Sequence, residues 1–84
     1  MPMITSFYGM IIYIYFKNKE YNPPHFHAQY GEHEGLFDIR TLELIDGELP
    51  KNALRMAKEW GALHQSELME IWETQNFKKL PTLE

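Results

Sequence analysis

The sequence predicts an α+β domain, a small antiparallel meander of three to four strands with a long, kinked or straight C-terminal helix packed on one face. Residues 25–30 alternate between apolar and polar side chains, which is typical of a strand with one buried face. Residues 50–76 repeat apolar side chains every three or four positions, which is typical of an amphipathic helix. The length of 84 residues indicates a single domain, 1–84.

The meander is expected to include a strand at residues 10–16, a run of β-branched and aromatic side chains that is apolar on both faces. Such a run is typical of a central strand, or of an edge strand that pairs with another chain. A shorter strand is expected before it, at residues 4–8, with Gly9 as a bend. The loop at 17–24 ends in two prolines, which stiffen the backbone ahead of the next strand.

The next strand, at residues 25–30, carries the clearest alternation. It assigns two sets of side chains to opposite faces, with Phe26, Ala28 and Tyr30 toward the core and His25, His27 and Gln29 on the other side. A turn at 31–33 leads to a return strand at 34–39, which alternates likewise. A last strand is expected around residues 43–45, closed by a turn at 46–47.

The helix at 50–76 is favoured as one continuous element because its apolar face is unbroken. Gly61 weakens it by up to about 1 kcal/mol relative to alanine, so that a kink there is unsurprising. The alternative breaks the helix at His64–Gln65 and starts a second one with Ser66 as its N-cap. Beyond the helix, residues 77–84 are expected to form a frayed tail.

Composition excludes several classes of protein. The chain has no cysteine, which excludes disulfides, thiolate metal sites and cysteine nucleophiles. It has 8 Lys and Arg against 12 Asp and Glu, and the net charge of −4 argues against a broad electrostatic grip on DNA. No apolar run approaches the roughly 18–20 residues of a membrane span. Residues 1–5 lack the features of a signal peptide, so we expect no membrane partner and a cytoplasmic location.

The strongest signal for function is the string Asn-Pro-Pro-His-Phe-His at residues 22–27. Two imidazoles two residues apart on a strand point to the same side, with Cβ atoms about 6.5–7 Å apart. Both can therefore reach one metal ion, one phosphate or one proton-transfer site. The same residues also fit a plain polar strand face that happens to contain histidine.

Catalysis or metal binding would need a third group beside His25 and His27. In a catalytic interpretation, the two imidazoles serve as general base and second group, and Asp38 orients one of them. A divalent metal at His25 and His27 would need Asp38 or Glu34 as a third ligand, since zinc takes three or four. No spacing in the sequence requires this ligand set, so we assign no metal and no cofactor.

Further candidates for binding flank the histidines or lie on the helix. Gln29 shares the face of the histidines, and Arg40 lies close to it, where it can equally form an exposed ion pair with Asp38. A basic stripe of three residues is spaced along one helix face: Lys51, Arg55 and Lys58. If RNA is a partner, its phosphates would lie there, although such a stripe is also typical of a solvated helix face. His64 lies on the apolar face of the helix, where a core histidine with one hydrogen bond is the ordinary interpretation.

Four stretches of the chain carry a family resemblance. They are residues 2–9, 22–27 together with 30–31, 47–51, and the helical pattern over 53–72. In these stretches the chain resembles a small bacterial family classed as a domain of unknown function, number 4160. The resemblance spans nearly the whole chain, and its Asn-Pro-Pro-His-Phe-His string is specific.

This resemblance implies a bacterial protein that is often encoded beside a second small protein. Some members of the family are candidate toxins of toxin–antitoxin pairs, with histidines suspected of importance. The implication carries over here to His25 and His27 and, less directly, to His64.

Three functions are compatible with the sequence, and we rank them in order. The first is an interaction module or toxin-like component of a two-gene system, which binds a small cognate protein and potentially RNA through the face of His25 and His27. The second is a small hydrolase or nuclease, metal-dependent or not, that uses the same histidines. The third is a structural subunit that forms homo-oligomers through the strand at 10–16.

Overall fold

The structure, a computed structural model, describes residues 3–14 and 23–83, and in this part of the chain five strands are followed by two helices. The strands are β1 (Met3–Phe7), β2 (Met10–Tyr13), β3 (His25–Tyr30), β4 (His33–Asp38) and β5 (Leu44–Glu48). They form one sheet in chain order, with every neighbouring pair antiparallel. The helices are α1 (Lys51–Leu63) and α2 (Gln65–Thr74). The predicted α+β meander with a helical second half is confirmed.

The described sheet has one strand more than the three to four that we predicted. Both the short strand before Gly9 and the last strand are present, and the last one is longer than expected because the turn predicted at 46–47 lies inside β5. Gly47 adopts a positive φ of 78° there and stays in the strand, opposite Gly35. A residue with positive φ can bend a strand without ending its pairing.

The strand predicted at 10–16 is β2 over residues 10–13, while residues 15 and 16 lie outside the described residues. β2 lies between β1 and β3, so residues 10–13 have backbone partners on both sides within the chain. The proposed homo-oligomer through this strand therefore has no open backbone edge at these four residues.

The core lies between one face of the sheet and the two helices. Phe26 and Phe37 stack with ring centroids 5.2 Å apart, and Trp60 of α1 meets Phe26 edge-on at 5.9 Å. All three side chains are fully buried, which stabilises the fold by about 1.5–3 kcal/mol for each large apolar side chain. The alternation predicted for β3 and β4 is confirmed, and the core-facing set leaves the histidines on the other side.

Gly61 allows α1 to approach the sheet closely. A Cβ at this position would lie 2.8 Å from Cδ2 of Leu42 and 3.2 Å from Cζ of Phe26. This glycine, where a kink would have been unsurprising, lies inside α1, two residues before its end.

The structure has two helices in place of the continuous helix that we favoured. α1 ends at Leu63, and His64 leaves the helical conformation with φ −121° and ψ 25°. This is the position of the alternative that we considered, but the N-cap residue of α2 is His64 and not Ser66.

Contacts with the segment after β4 and contacts within the helices hold this junction. The side chain of Gln65 donates from Nε2 to the carbonyl oxygens of Ile39 and Arg40, both at 2.8 Å. His64 packs its ring against Trp60 at 5.0 Å and contacts Oε1 of Glu67 through Nδ1 at 2.7 Å. These contacts stabilise a turn at His64 because they satisfy polar groups that a continuous helix would place elsewhere.

The segment after α2, where we predicted fraying, contacts the rest of the domain. The backbone N–H of Leu80 donates to the carbonyl oxygen of Ile4 at 3.0 Å, and its side chain is buried. The indole N–H of Trp60 donates to the carbonyl oxygen of Pro81 at 2.8 Å. These bonds tie residues 80–81 to β1 and α1. Neither helix of the described chain is long and apolar enough to cross a membrane.

Candidate functional site

The histidines of β3 lie on the face of the sheet opposite the core, which we call the outer face. Its side chains align across the strands in register, in one row of Ser6, Ile11, Gln29, Glu34 and Glu48, a second row of Met3, Tyr13, His27, Leu36 and Asp46, and the pair of His25 and Asp38. Alternation along β2 to β5 places their residues on one side, because neighbouring residues of a strand point to opposite faces. In β1, the register shift between Met3 and Thr5 brings Met3 to the same side as Ser6.

A cluster of three side chains joins β2, β3 and β4 on the outer face. Oε2 of Glu34 accepts a hydrogen bond from the Tyr13 hydroxyl at 2.5 Å and one from Nδ1 of His27 at 3.1 Å. The rings of Tyr13 and His27 stack, with centroids 5.0 Å apart and planes at 3°. Because a carboxylate only accepts, Nδ1 of His27 carries the hydrogen, and the lone pair of the neutral imidazole is on the buried Nε2.

His25 is oriented by backbone and by aromatic contacts. Its Nδ1 donates to the carbonyl oxygen of Pro23 at 2.9 Å. Its ring lies 5.4 Å from the ring of His27, nearly perpendicular to it, and 4.9 Å from that of Trp72 on α2. A carbonyl oxygen only accepts, so Nδ1 of His25 carries a hydrogen as Nδ1 of His27 does.

Burial lowers the pKa of His27 below its ordinary value of 6.5, because removal from water penalises the imidazolium. The hydrogen bond to Glu34 and the charge of Glu34 act in the opposite direction, and the neighbouring His25 lowers the pKa further. Since desolvation is the largest of these effects, His27 is neutral at pH 7.

A cleft of about 270 Å³ lies beside His27 on the outer face. Its lining comprises His27, Glu34, Gly35, Leu36, Asp46 and Gly47. Gly47 is required for its shape, because a Cβ there would lie 2.1 Å from the carbonyl oxygen of Glu34. The cleft places an imidazole next to two carboxylates and one aliphatic side chain.

Asp38, which we predicted to orient an imidazole, lies opposite His25 in register. Its Oδ1 accepts the backbone N–H groups of Arg40 at 2.7 Å and Thr41 at 3.3 Å, and so caps the turn after β4. The carboxylate that bonds to an imidazole of β3 is that of Glu34.

The other predicted binding residues divide between two sides of the domain. Gln29 is exposed on the outer face beside the histidines, and Arg40 is exposed in the turn next to Asp38. His64 lies at the helix junction. The basic stripe is exposed on α1, which packs against the opposite side of the sheet: Lys51, Arg55 and Lys58. The structure therefore places the histidines, Gln29 and Asp38 on the same face of the sheet and the stripe on the opposite layer.

The sequence offered little signal for Tyr13 and Trp72, and it suggested Glu34 only as a metal ligand. Among residues 3–14 and 23–83, no group of three or more His, Asp or Glu side chains is arranged to hold a metal ion. The polar hydroxyl of Tyr13 in an otherwise apolar strand was the one available hint, because a buried hydroxyl needs a partner.

The described site lies within a region that matches a known family. A family model described as "Domain of unknown function (DUF4160)" matches residues 9–73, which include Tyr13, both histidines of β3, Glu34 and the whole lining of the cleft. No curated protein and no solved structure matches the chain. Since the match covers more than half of its length, the chain belongs to the DUF4160 family, a domain of unknown function.

Proposed function

We propose that this protein is an interaction module, a toxin-like component of a two-gene system of the toxin–antitoxin type, and that it works through the outer face around His25 and His27. Its proposed partner is a small cognate protein encoded beside it. The bonded cluster of Tyr13, Glu34 and His27 at the centre of the outer face is the observation that carries the proposal.

A sheet face that only meets solvent has no need for this cluster. Burying His27 makes its imidazolium less favourable, so the cluster lowers stability at mildly acidic pH. Holding three polar side chains in one geometry also opposes their conformational entropy. Both effects oppose folding, and they are typical of a functional surface, because oriented polar groups give specificity to an interface.

The accessible surface around the cluster supports the same proposal. The side chain of Glu34 is 49% exposed, whereas that of His27 is 12% exposed, so the cluster presents a carboxylate above a mostly covered imidazole. Ile11 and Met3 add partly exposed apolar surface on the same face. A mixture of apolar, aromatic and polar groups is typical of protein–protein interfaces.

Growth of a bacterial host on induction tests the proposal. We expect arrest with the parent protein and none with His25→Ala/His27→Ala, after circular dichroism has shown that the variant is folded. His33→Ala is the matched control, since His33 is exposed at the start of β4, and it should arrest growth like the parent. Co-expression of the neighbouring gene product should relieve arrest and yield a complex that co-purifies. Soluble expression with neither arrest nor a complex would reject the proposal.

A second candidate is a small hydrolase or nuclease, metal-dependent or not. Both imidazoles have Nδ1 fixed as a donor, which makes Nε2 the basic atom, and the lowered pKa of His27 keeps one base neutral near pH 7. The carboxylates of β4 and β5 oppose a phosphodiester substrate, and for this reason we rank it second. Incubation of the folded protein with RNA, with and without a chelator, tests it. Cleavage lost in His25→Ala would favour catalysis, and cleavage lost with chelator would make it metal-dependent.

A further inference from the structure

Charge is unevenly distributed between the sheet and the rest of the described chain. The five strands contain no Lys or Arg, and their four carboxylates all lie on the outer face, at Glu34, Asp38, Asp46 and Glu48. The described cationic side chains lie in the turn after β4, on α1 and after α2, at Arg40, Lys51, Arg55, Lys58, Lys78 and Lys79. The outer face therefore carries all four strand carboxylates, whereas the basic groups of residues 3–14 and 23–83 lie outside the strands.

The two cross-strand rows run from apolar or neutral to acidic. One row begins with Ser6 and Ile11 and ends with Glu34 and Glu48, and the other begins with Met3 and Tyr13 and ends with Leu36 and Asp46. Met3 is 40% exposed and Ile11 36% exposed, so the apolar end of the face is open to contact. A complementary surface has apolar side chains at one end and basic side chains at the other.

The outer face of the sheet is better suited to a partner than the two edges of the sheet. On the edge at β1, the carbonyl oxygen of Ile4 already accepts the N–H of Leu80. The edge at β5 is irregular, with a register shift opposite Leu36 and Phe37 and a positive φ at Gly47. Such irregularities oppose the addition of another strand. Docking on the face uses side chains, which an amphipathic helix presents in rows.

We propose that the partner docks an amphipathic helix across the outer face, with Lys or Arg side chains over β4 and β5 and apolar side chains over β1 and β2. This inference rests on the proposed function and names the chemistry of its partner. Five strands spaced by about 4.8 Å span roughly 20 Å, which matches a helix of about 13 residues. In the cleft, the aliphatic stem of a Lys or Arg packs on Leu36, and its charged head reaches Asp46 and Glu34.

RNA is the macromolecule that this face disfavours. Its phosphates would meet four carboxylates and no described strand cation, so that the electrostatic contribution that dominates nucleic-acid affinity has the wrong sign. The basic stripe lies on α1, on the opposite side of the sheet, so it cannot offset the carboxylates of the outer face. A protein partner therefore fits this face better than RNA does.

The test compares two double charge reversals. Asp46→Lys/Glu48→Lys acts on the outer face, and Glu70→Lys/Glu73→Lys acts on exposed positions of α2, with the same change in net charge. Calorimetry with the neighbouring gene product is expected to show binding to the parent that weakens with salt, at least about tenfold weaker binding to the first variant, and less than about twofold change for the second. Asp46→Asn/Glu48→Gln keeps the test valid if the reversal disturbs folding, and it should weaken binding by a smaller factor. Equal affinity of the parent and both outer-face variants would overturn the inference.

If the parent does not bind the neighbouring gene product at all, the proposed function fails, and the docking chemistry is tested separately. The probe is then a synthetic 14-residue amphipathic helix whose contact face carries leucines at one end and lysines at the other, and its binding is followed by amide chemical shifts of the protein. We expect shifts at Gln29, Leu36 and Asp46 in the parent that disappear in Asp46→Lys/Glu48→Lys. Shifts confined to α1, or the same outer-face shifts on addition of a 12-nucleotide RNA, would overturn the inference.

Discussion

Tyr13 and His27 stack face to face on neighbouring strands, with ring centroids 5.0 Å apart and planes at 3°, and both donate to Oε2 of Glu34. One carboxylate oxygen thereby joins three strands and fixes the tautomer of a mostly buried imidazole. The stack also covers the imidazole and removes it from water. The balance between the carboxylate and this desolvation controls the protonation of the site.

Glu34→Gln is expected to lower the pKa of His27 further. Glu34 raises this pKa through its hydrogen bond and its charge, whereas burial, the larger effect, lowers it. Removal of the charge leaves burial unopposed. NMR titration of the imidazole protons checks this, with His64 at the helix junction as the internal control, because its carboxylate partner is Glu67 and not Glu34. A pKa of His27 that rises in the variant would contradict the assigned balance.

Stability is expected to fall as pH decreases below about 6.5 because of His27. Its pKa is lower in the folded than in the unfolded chain, so the unfolded chain takes up the proton first. The stabilising contribution of His27 is complete when the pH is above its pKa in the unfolded chain. It is lost as the pH falls through its pKa in the folded chain. Denaturant unfolding of the parent and of His27→Gln, at several pH values between 5 and 8, measures this pH dependence of stability. The slope of the free energy of unfolding against pH should be smaller in the variant, and equal slopes would reject this assignment.

Alternation along β3 was enough to predict the two faces of the sheet, since a period of two decides which side chains are buried. It could not predict the partner of His27. Glu34 is the diagonal neighbour of His27, because Gln29 pairs with Glu34 while His27 pairs with Leu36. The position of Tyr13 beside His27 depends in turn on the register of two strands that are separated in sequence by more than ten residues.

The periodicity of the apolar residues could not predict the helix break either. Residues on both sides of His64 keep the spacing of one apolar face, so a continuous helix was the simpler prediction. The break depends on Gln65 reaching the carbonyl oxygens of Ile39 and Arg40, which lie 26 and 25 positions earlier. Local sequence patterns contain no information about contacts of this kind.

Gly47→Ala is expected to destabilise the protein by more than about 2 kcal/mol and to distort the cleft. Its φ is 78°, and an added Cβ would lie 2.1 Å from a backbone oxygen of Glu34, which cannot move without breaking the pairing of β4 and β5. Gly31→Ala is the matched control. Its φ is 61°, but no atom lies within 4 Å of an added Cβ, so only the backbone strain of about 1 kcal/mol applies. Chemical denaturation of both variants gives the comparison, and a smaller effect at Gly47 than at Gly31 would contradict it.

Leu80→Ala is expected to destabilise the protein by about 2 kcal/mol, because the side chain is 7% exposed and belongs to the core cluster. This result would show that the C-terminal segment is held to β1 and not frayed as we predicted from sequence. Leu63→Ala is the matched control, since Leu63 is 67% exposed at the end of α1 and its truncation should change stability by less than about 0.5 kcal/mol. Thermal and denaturant unfolding measure both changes. If the two substitutions have the same small effect, the segment is frayed in solution, and the hydrogen bond from Trp60 to Pro81 is broken there as well.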